Sequence, residues 1–177
     1  MTHPKPVPGS RMPDMTLPTL GGDTRALFAA KDKQNWQLLV VYRGKHCPVC
    51  TIYLSELNEQ VKVLTDLGID ILAVSADSED RAKAQMSEVK PDFDVAYGLT
   101  LEQMKTLGLY ISGPKNGVDV EGPFAEPALF AVDDLQDLRI VDFSNVPFAR
   151  PDLSRIVRGL RFLREREEPV PVSGAYA

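Results

Sequence analysis

Cysteine is scarce in this chain of 177 residues: it has two, with two histidines and one tryptophan. That scarcity excludes a conventional zinc site, which takes about four nitrogen or sulfur ligands. The only imidazoles are His3, in a proline-rich terminal segment, and His46, beside a cysteine. No apolar run approaches the roughly 20 residues that cross a bilayer as a helix, so no membrane span is expected. The N-terminal segment lacks the apolar stretch of a signal peptide, which makes the cytoplasm the expected compartment. A net charge of −5 gives no basic excess for nucleic acid or an anionic membrane surface, and neither is an expected partner. Internal repeats and a second domain are also lacking. A hydrophobic fraction of 44% and a charged fraction of 25% describe one ordinary globular domain with enough chain for a real core.

Both cysteines fall in one tetrapeptide, Cys47-Pro48-Val49-Cys50. The apolar run Gln37–Tyr42 leads into it and reads as a strand buried on both faces. The run from Pro48 to about Leu67 reads as a helix, with Leu54, Leu57, Val61 and Leu64 on one stripe and Gly68 at its end. Cys47 then falls at the N-cap and Pro48 at the first helical position. Unpaired N–H groups and the positive end of the helix dipole favour a thiolate at Cys47. Arg43, Lys45 and His46 add positive charge just upstream. Cys50, one turn on, lies on the same face and within reach of Cys47. The pattern assigns attack to Cys47 and resolution to Cys50. A structural disulfide is a poor alternative, because a four-residue loop constrains little of the unfolded chain. The remaining plain alternative is a pair of reduced core cysteines.

Along the chain, residues 1–10 read as an extended arm, 11–166 as the domain and 167–177 as a tail. Met15–Leu20 and Thr24–Phe28 read as a short strand and its return. Ile69–Ser75 is the second buried strand, so residues 37–75 form a β-α-β unit with parallel strands. Asp77–Val89 is a helix with Ser78 as cap. Phe93–Tyr97 is a short strand, Leu99–Leu107 a short helix, and 112–122 a loop rich in Gly, Pro and Asn. Ala128–Val132 and Leu138–Phe143 form an antiparallel pair, and Pro151 to about Glu165 is the last helix. Its arginines, 155, 158, 161 and 164, read as a solvated face. Tyr42 reads as strand packing, and Glu126 as a solvent-facing carboxylate, with a proton acceptor at the sulfurs as the sharper alternative.

A β-α-β half carrying CxxC, followed by a β-β-α half entered through a proline, resembles the thioredoxin fold. More closely, the chain resembles the alkyl hydroperoxide reductase/thiol-specific antioxidant family in its peroxiredoxin-like branch. The resemblance rests on Met12–Leu17 with Gly21-Gly22, on Val41–Cys50, on Ile71–Asp77, and on the strand pair 127–133 and 138–143. It implies an α/β, thioredoxin-like fold: a central mixed sheet flanked by helices, with an N-terminal β extension. It also implies a cis bond before Pro127, at the strand facing the reactive cysteine. Two family features are absent. The family places proline seven residues and threonine or serine three residues before its peroxidatic cysteine; here those positions hold Val40 and Gly44. No arginine stands near Ala125-Glu126-Pro127, where the family's later strand usually supplies one.

The expected activity is that of a thiol–disulfide oxidoreductase with an antioxidant role. Cys47 attacks a disulfide or peroxide, Cys50 resolves, and Pro127, Arg43 and His46 complete the site. His46 acts either by stabilising the thiolate when protonated or by shuttling a proton. A thioredoxin- or glutathione-type thiol restores the pair, no organic cofactor is implied, and a homodimer is the candidate assembly. The alternatives are a dedicated thiol-dependent peroxidase and a redox-sensing or binding protein without turnover.

Overall fold

The computed structural model describes residues 4–114, 118–168 and 170–175; His3 and residues 115–117 of the expected loop lie outside this set. The chain opens with a hairpin, β1 (Thr16–Pro18) and β2 (Thr24–Ala26), paired antiparallel with Thr16 opposite Ala26. β3 (Trp36–Val41) follows, and all its residues are buried. Then come α1 (Pro48–Glu59), α2 (Val61–Asp66), β4 (Ile69–Val74), α3 (Glu79–Val89), β5 (Asp94–Ala96) and α4 (Leu101–Thr106). A two-residue pair, β6 (Ile111–Ser112) with β7 (Phe124–Ala125), precedes β8 (Ala128–Val132), β9 (Leu138–Phe143) and α5 (Leu153–Arg164).

The main sheet runs in the order β5-β4-β3-β8-β9. β3, β4 and β5 are parallel, while β8 is antiparallel to both β3 and β9. β3 is therefore central, and both its faces are covered. Leu38 and Val40 point into a core shared with Cys50, Leu54 and Leu57 of α1, Met86 of α3 and Val157 of α5. Leu39 and Val41 point into a second core with Leu17, Phe28, Met104 and Phe130. This two-sided burial accounts for the near-continuous apolar run in the sequence.

The expected parallel unit over 37–75, the antiparallel pair of β8 and β9, and the N-terminal β extension are all present. Two elements differ from expectation. The single helix over 48–67 is broken at Gln60, whose N–H pairs with Leu57 O at 2.9 Å in a three-residue step before α2 resumes. Leu54, Leu57 and Leu64 are buried on either side of the break, so the apolar stripe reads through it. The expected loop over 112–122 hides β6, because a two-residue strand leaves no periodic signal. The pairing of Ile111 with Ala125 and Ser112 with Phe124 brings the segment before Pro127 up to the sheet.

The N-terminal segment is extended and docked along β9. Gly9 N–H donates to Leu138 O at 2.8 Å, and Leu138 N–H donates to Ser10 O at 3.0 Å. Among the described residues, no helix is long and apolar enough to cross a membrane.

Candidate active site

β3 delivers the chain at the middle of the sheet, and residues 43–47 turn it into α1. Gly44 makes that turn with φ +120°, and a Cβ there would stand 2.6 Å from Asp77 Oδ2. Only glycine meets both conditions. Asp77, in the segment between β4 and α3, holds the turn: its Oδ2 accepts the Lys45 N–H at 2.7 Å, and its Oδ1 lies 3.3 Å from Arg81 Nε. The missing hydroxyl three residues before Cys47 is thus more than a deletion. An acidic side chain fills the space where a β-substituent would sit.

Cys47 is the N-cap of α1, in extended conformation, with Pro48 in the first turn. Cys50 N–H donates back to Cys47 O at 3.0 Å. Both residues are free thiols and both are buried, Cys47 at 2% exposure and Cys50 at 0%. Their acidities diverge sharply. The Cys47 thiol is pulled down to about 6: the Cys50 thiol donates to its sulfur, the Cys50 N–H and Arg43 add to the effect, and burial opposes them. Burial pushes the Cys50 thiol up, and its hydrogen bond to Cys47 pushes it further, while Arg150 pulls it down. One buried pair therefore carries one negative charge, and that charge resides on Cys47.

Of the three upstream cations, Arg43 acts on Cys47 as its spacing suggests, while Lys45 and His46 do not. Arg43 lies at the site, its guanidinium over the Phe124 ring at 5.0 Å and its Nε 3.1 Å from Glu126 Oε2. Lys45 contributes its backbone N–H to Asp77. The protonated His46 of the sequence reading gives way to a neutral ring, because burial and the nearby Arg43 cation hold its pKa below the usual value. That ring packs on Phe124 at 4.5 Å between centroids, and neither nitrogen has a hydrogen-bond partner among the described residues.

β7 and the start of β8 form the facing wall. Glu126 is buried rather than solvent-facing, and it is held by Arg43 and by Ser112 Oγ, which donates to Oε1 at 2.5 Å. The bond before Pro127, expected cis, is trans; no cis bond occurs among the described residues. Glu126 is tied at its N–H to Tyr110 O at 2.8 Å and at its side chain to Arg43, so the chain runs extended from β7 into β8. The trans form, already the ground state by about 0.5–1 kcal/mol, continues that path. With Val41 opposite Ala128, Pro127 lies beside the end of β3, where it lines a small cavity with Tyr53, Asp142 and Arg150.

Arg150 was not legible as a site residue. It precedes α5, a hundred positions from the motif, and its Nη2 donates to Cys50 Sγ at 2.7 Å. The Tyr53 ring lies under its guanidinium at 4.8 Å. Two of its buried nitrogens, Nε and Nη1, have no hydrogen-bond partner among the described residues. Beside it an open groove of about 350 Å³ runs between α1 and the segment 147–153, lined by Val49, Ile52 and Phe148 among others.

The buried dithiol lies at the end of the central strand, and comparison with known proteins identifies the domain that carries it. Residues 8–141 match the AhpC/TSA family. The chain belongs to that family. It is similar to Peroxiredoxin 2 of Thermoplasma acidophilum, at 24% identity over 167 residues, covering 93% of this chain and 81% of that one. It is also similar to a peroxiredoxin of Thermoplasma volcanium, at 23% identity over 171 residues, covering 93% and 80%. Among solved structures, a cysteine-to-serine mutant of peroxiredoxin 6 of Arenicola marina superposes with a TM-score of 0.75 at 16% identity, covering 94% of this chain and 78% of that one. A peroxiredoxin-like protein of Aquifex aeolicus gives a TM-score of 0.74 at 19% identity, covering 91% and 90%. The AhpC/TSA fold is thus shared, and the expected thioredoxin-like architecture with it.

Proposed function

We propose that this AhpC/TSA protein is a thiol-dependent oxidoreductase in which Cys47 attacks an oxidised substrate and Cys50 resolves. The observation that carries the reading is the placement of two buried thiols one turn apart at the α1 N-terminus, where hydrogen bonding lowers the pKa of Cys47 and burial raises that of Cys50. At neutral pH Cys47 is ionised and Cys50 holds its proton, so the order of attack is built in. With a peroxide, the Cys47 thiolate takes one oxygen and becomes a sulfenic acid, and the alkoxide or hydroxide that departs takes a proton from solvent to leave as alcohol or water. Cys50 sulfur then displaces hydroxide from Cys47, forming the disulfide and releasing water. With a disulfide substrate, Cys47 forms a mixed disulfide and Cys50 displaces the substrate thiolate.

Arg43 lowers the Cys47 pKa, neutral His46 packs on Phe124 beside the pair, and Pro127 closes the wall beside Tyr53 and Arg150. The reductant is a thioredoxin- or glutathione-type thiol in the cytoplasm. The exposed apolar rim of Val49, Ile52 and Phe148 supports a protein contact next to the pair, and a homodimer is the assembly to look for by sedimentation.

The relatives' names favour peroxide as the oxidant; Gly44, with Asp77 filling its side-chain space, favours a disulfide. Stopped-flow oxidation of the reduced protein by hydrogen peroxide and by glutathione disulfide decides between them. Either reaction should exceed that of a free thiol at equal thiolate fraction, vanish in Cys47→Ser, and leave a sulfenic acid or mixed disulfide trapped in Cys50→Ser. Free-thiol rates with both oxidants would overturn the assignment.

A further inference from the structure

Cys50 has to carry negative charge twice in each cycle, and its surroundings oppose charge. It must be a thiolate to close on Cys47. It must leave as a thiolate when a donor thiol attacks Cys47 Sγ and breaks the disulfide. Yet its residue is fully buried, and the adjoining thiolate repels a second charge. Arg43, the cation beside Cys47, is committed to that sulfur and to Glu126. We propose that Arg150 is a catalytic residue dedicated to Cys50: it stabilises the Cys50 thiolate both as the attacking group in disulfide closure and as the leaving group in reduction.

The contact is direct, 2.7 Å from Nη2 to Sγ. A charge-assisted hydrogen bond of this kind is roughly twice as strong as a neutral one. The side chain is also held for the task. Its guanidinium stacks on Tyr53, whose hydroxyl donates to Pro151 O at 3.1 Å. Two residues on, Asp152 caps α5 by accepting the Arg155 N–H at 2.9 Å. Arg150 is thus clamped from α1 on one side and by the start of α5 on the other. No carboxylate forms an ion pair with it, so its charge is undivided among the described residues.

The electron and proton balance follows. In the reduced pair, the Cys50 S–H donates to the Cys47 thiolate. Once Cys47 is oxidised, that acceptor charge is gone, the proton departs to solvent, and Arg150 holds the resulting Cys50 thiolate. Closure forms the S–S bond and expels the group on Cys47 with its electron pair. In reduction, a donor thiolate bonds to Cys47 Sγ and the S–S electron pair returns to Cys50. A second donor thiol then displaces Cys47 and leaves the donor as a disulfide.

This inference rests on the redox-pair reading, and one experiment separates the two. The reduced protein is mixed with the aromatic disulfide dithionitrobenzoate, which releases a coloured thiolate at each step. The first release reports attack by Cys47 and depends on reagent concentration; the second reports closure by Cys50 and does not. Arg150→Met should slow the second release by about tenfold or more and move its pH midpoint upward, while Arg150→Lys should recover most of the rate. A second release in Arg150→Met within about twofold of wild type at every pH overturns the role of Arg150 and leaves the pair intact. Equal slowing in Arg150→Met and Arg150→Lys, with no change in pH midpoint, also overturns it, because packing alone then explains the loss. A wild-type protein that releases only one thiolate overturns both this inference and the redox pair beneath it.

Discussion

The two ends of the sheet hold arginines in opposite conditions, Arg25 buried at one and Arg150 half-buried at the other. At the N-terminal ends of β3, β4 and β5, Arg25 ion-pairs with Asp94, lies 3.9 Å from Asp70, and donates to Gln37 Oε1 at 3.2 Å. Lys31 joins Asp94 at 2.7 Å. Charges and partners are matched there. At the C-terminal end of β3, next to the cysteines, Arg150 keeps two buried nitrogens unpaired and His46 keeps both of its own. Nearly all buried polar groups in folded proteins find partners, so unpaired ones cluster where structure has been left open for chemistry. On the proposed function, the paired end stabilises the fold and the unpaired end is where the sulfurs react.

Substitutions at the two ends should therefore separate activity from stability. Cys47→Ser should lower turnover by about a thousandfold or more, since the other sulfur of that first turn, Cys50, is held protonated by burial. Arg25→Met should leave turnover within about twofold while lowering the unfolding free energy by about 2 kcal/mol, because Asp70 and Gln37 lose their cationic partner and Asp94 keeps only Lys31. A turnover loss in Arg25→Met as large as its stability loss would break the contrast.

The Gly44 turn should show the strongest stability effect at the reactive end. Gly44→Ala should cost about 3 kcal/mol, from positive φ and the clash with Asp77. In an Asp77→Ala background the further cost should fall to about 1 kcal/mol, the backbone part alone. Thermal unfolding of the four proteins tests this, and an undiminished cost would mean that Asp77 does not crowd the position.

The smallest effect is a pH dependence. The Cys47 pKa in the folded protein lies near 6, below the ordinary thiol value of about 8.5. Between those values the unfolded chain binds the extra proton, so stability of the reduced protein should rise with pH, by no more than about 1.4 kcal/mol per unit. It should be lost as pH falls through 6. Cys47→Ser and the oxidised protein should lack this slope in chemical denaturation. A slope shared by all three would place its source elsewhere.

How much of this was legible in the chain follows the range of the interactions. The β-α-β unit, the CxxC at a strand–helix junction and the antiparallel pair rest on local patterns, and they are present as read. What escaped was long-range. Arg150 reaches Cys50 across 100 positions, and Ala149-Arg150-Pro151 has no motif to betray it. Glu126 looked like a surface carboxylate until β6 and β7 carried it inward onto Arg43. His46 has the right spacing for a cation, but burial and Arg43 keep it neutral. Pro127 stands where the fold's cis proline was expected, yet the extended path from β7 to β8 keeps its bond trans. Charge states and isomers depend on neighbours that spacing alone does not name.

The central claim is that two touching, buried cysteines differ in charge, with Cys47 ionised and Cys50 protonated at neutral pH. Alkylation of the reduced protein by iodoacetamide across pH 4–10, with each cysteine followed by peptide mass, measures this directly. The account predicts that Cys47 is labelled with a midpoint near 6 while Cys50 stays essentially unlabelled throughout. Equal labelling of both cysteines with a common midpoint near the ordinary thiol value of about 8.5 would contradict it.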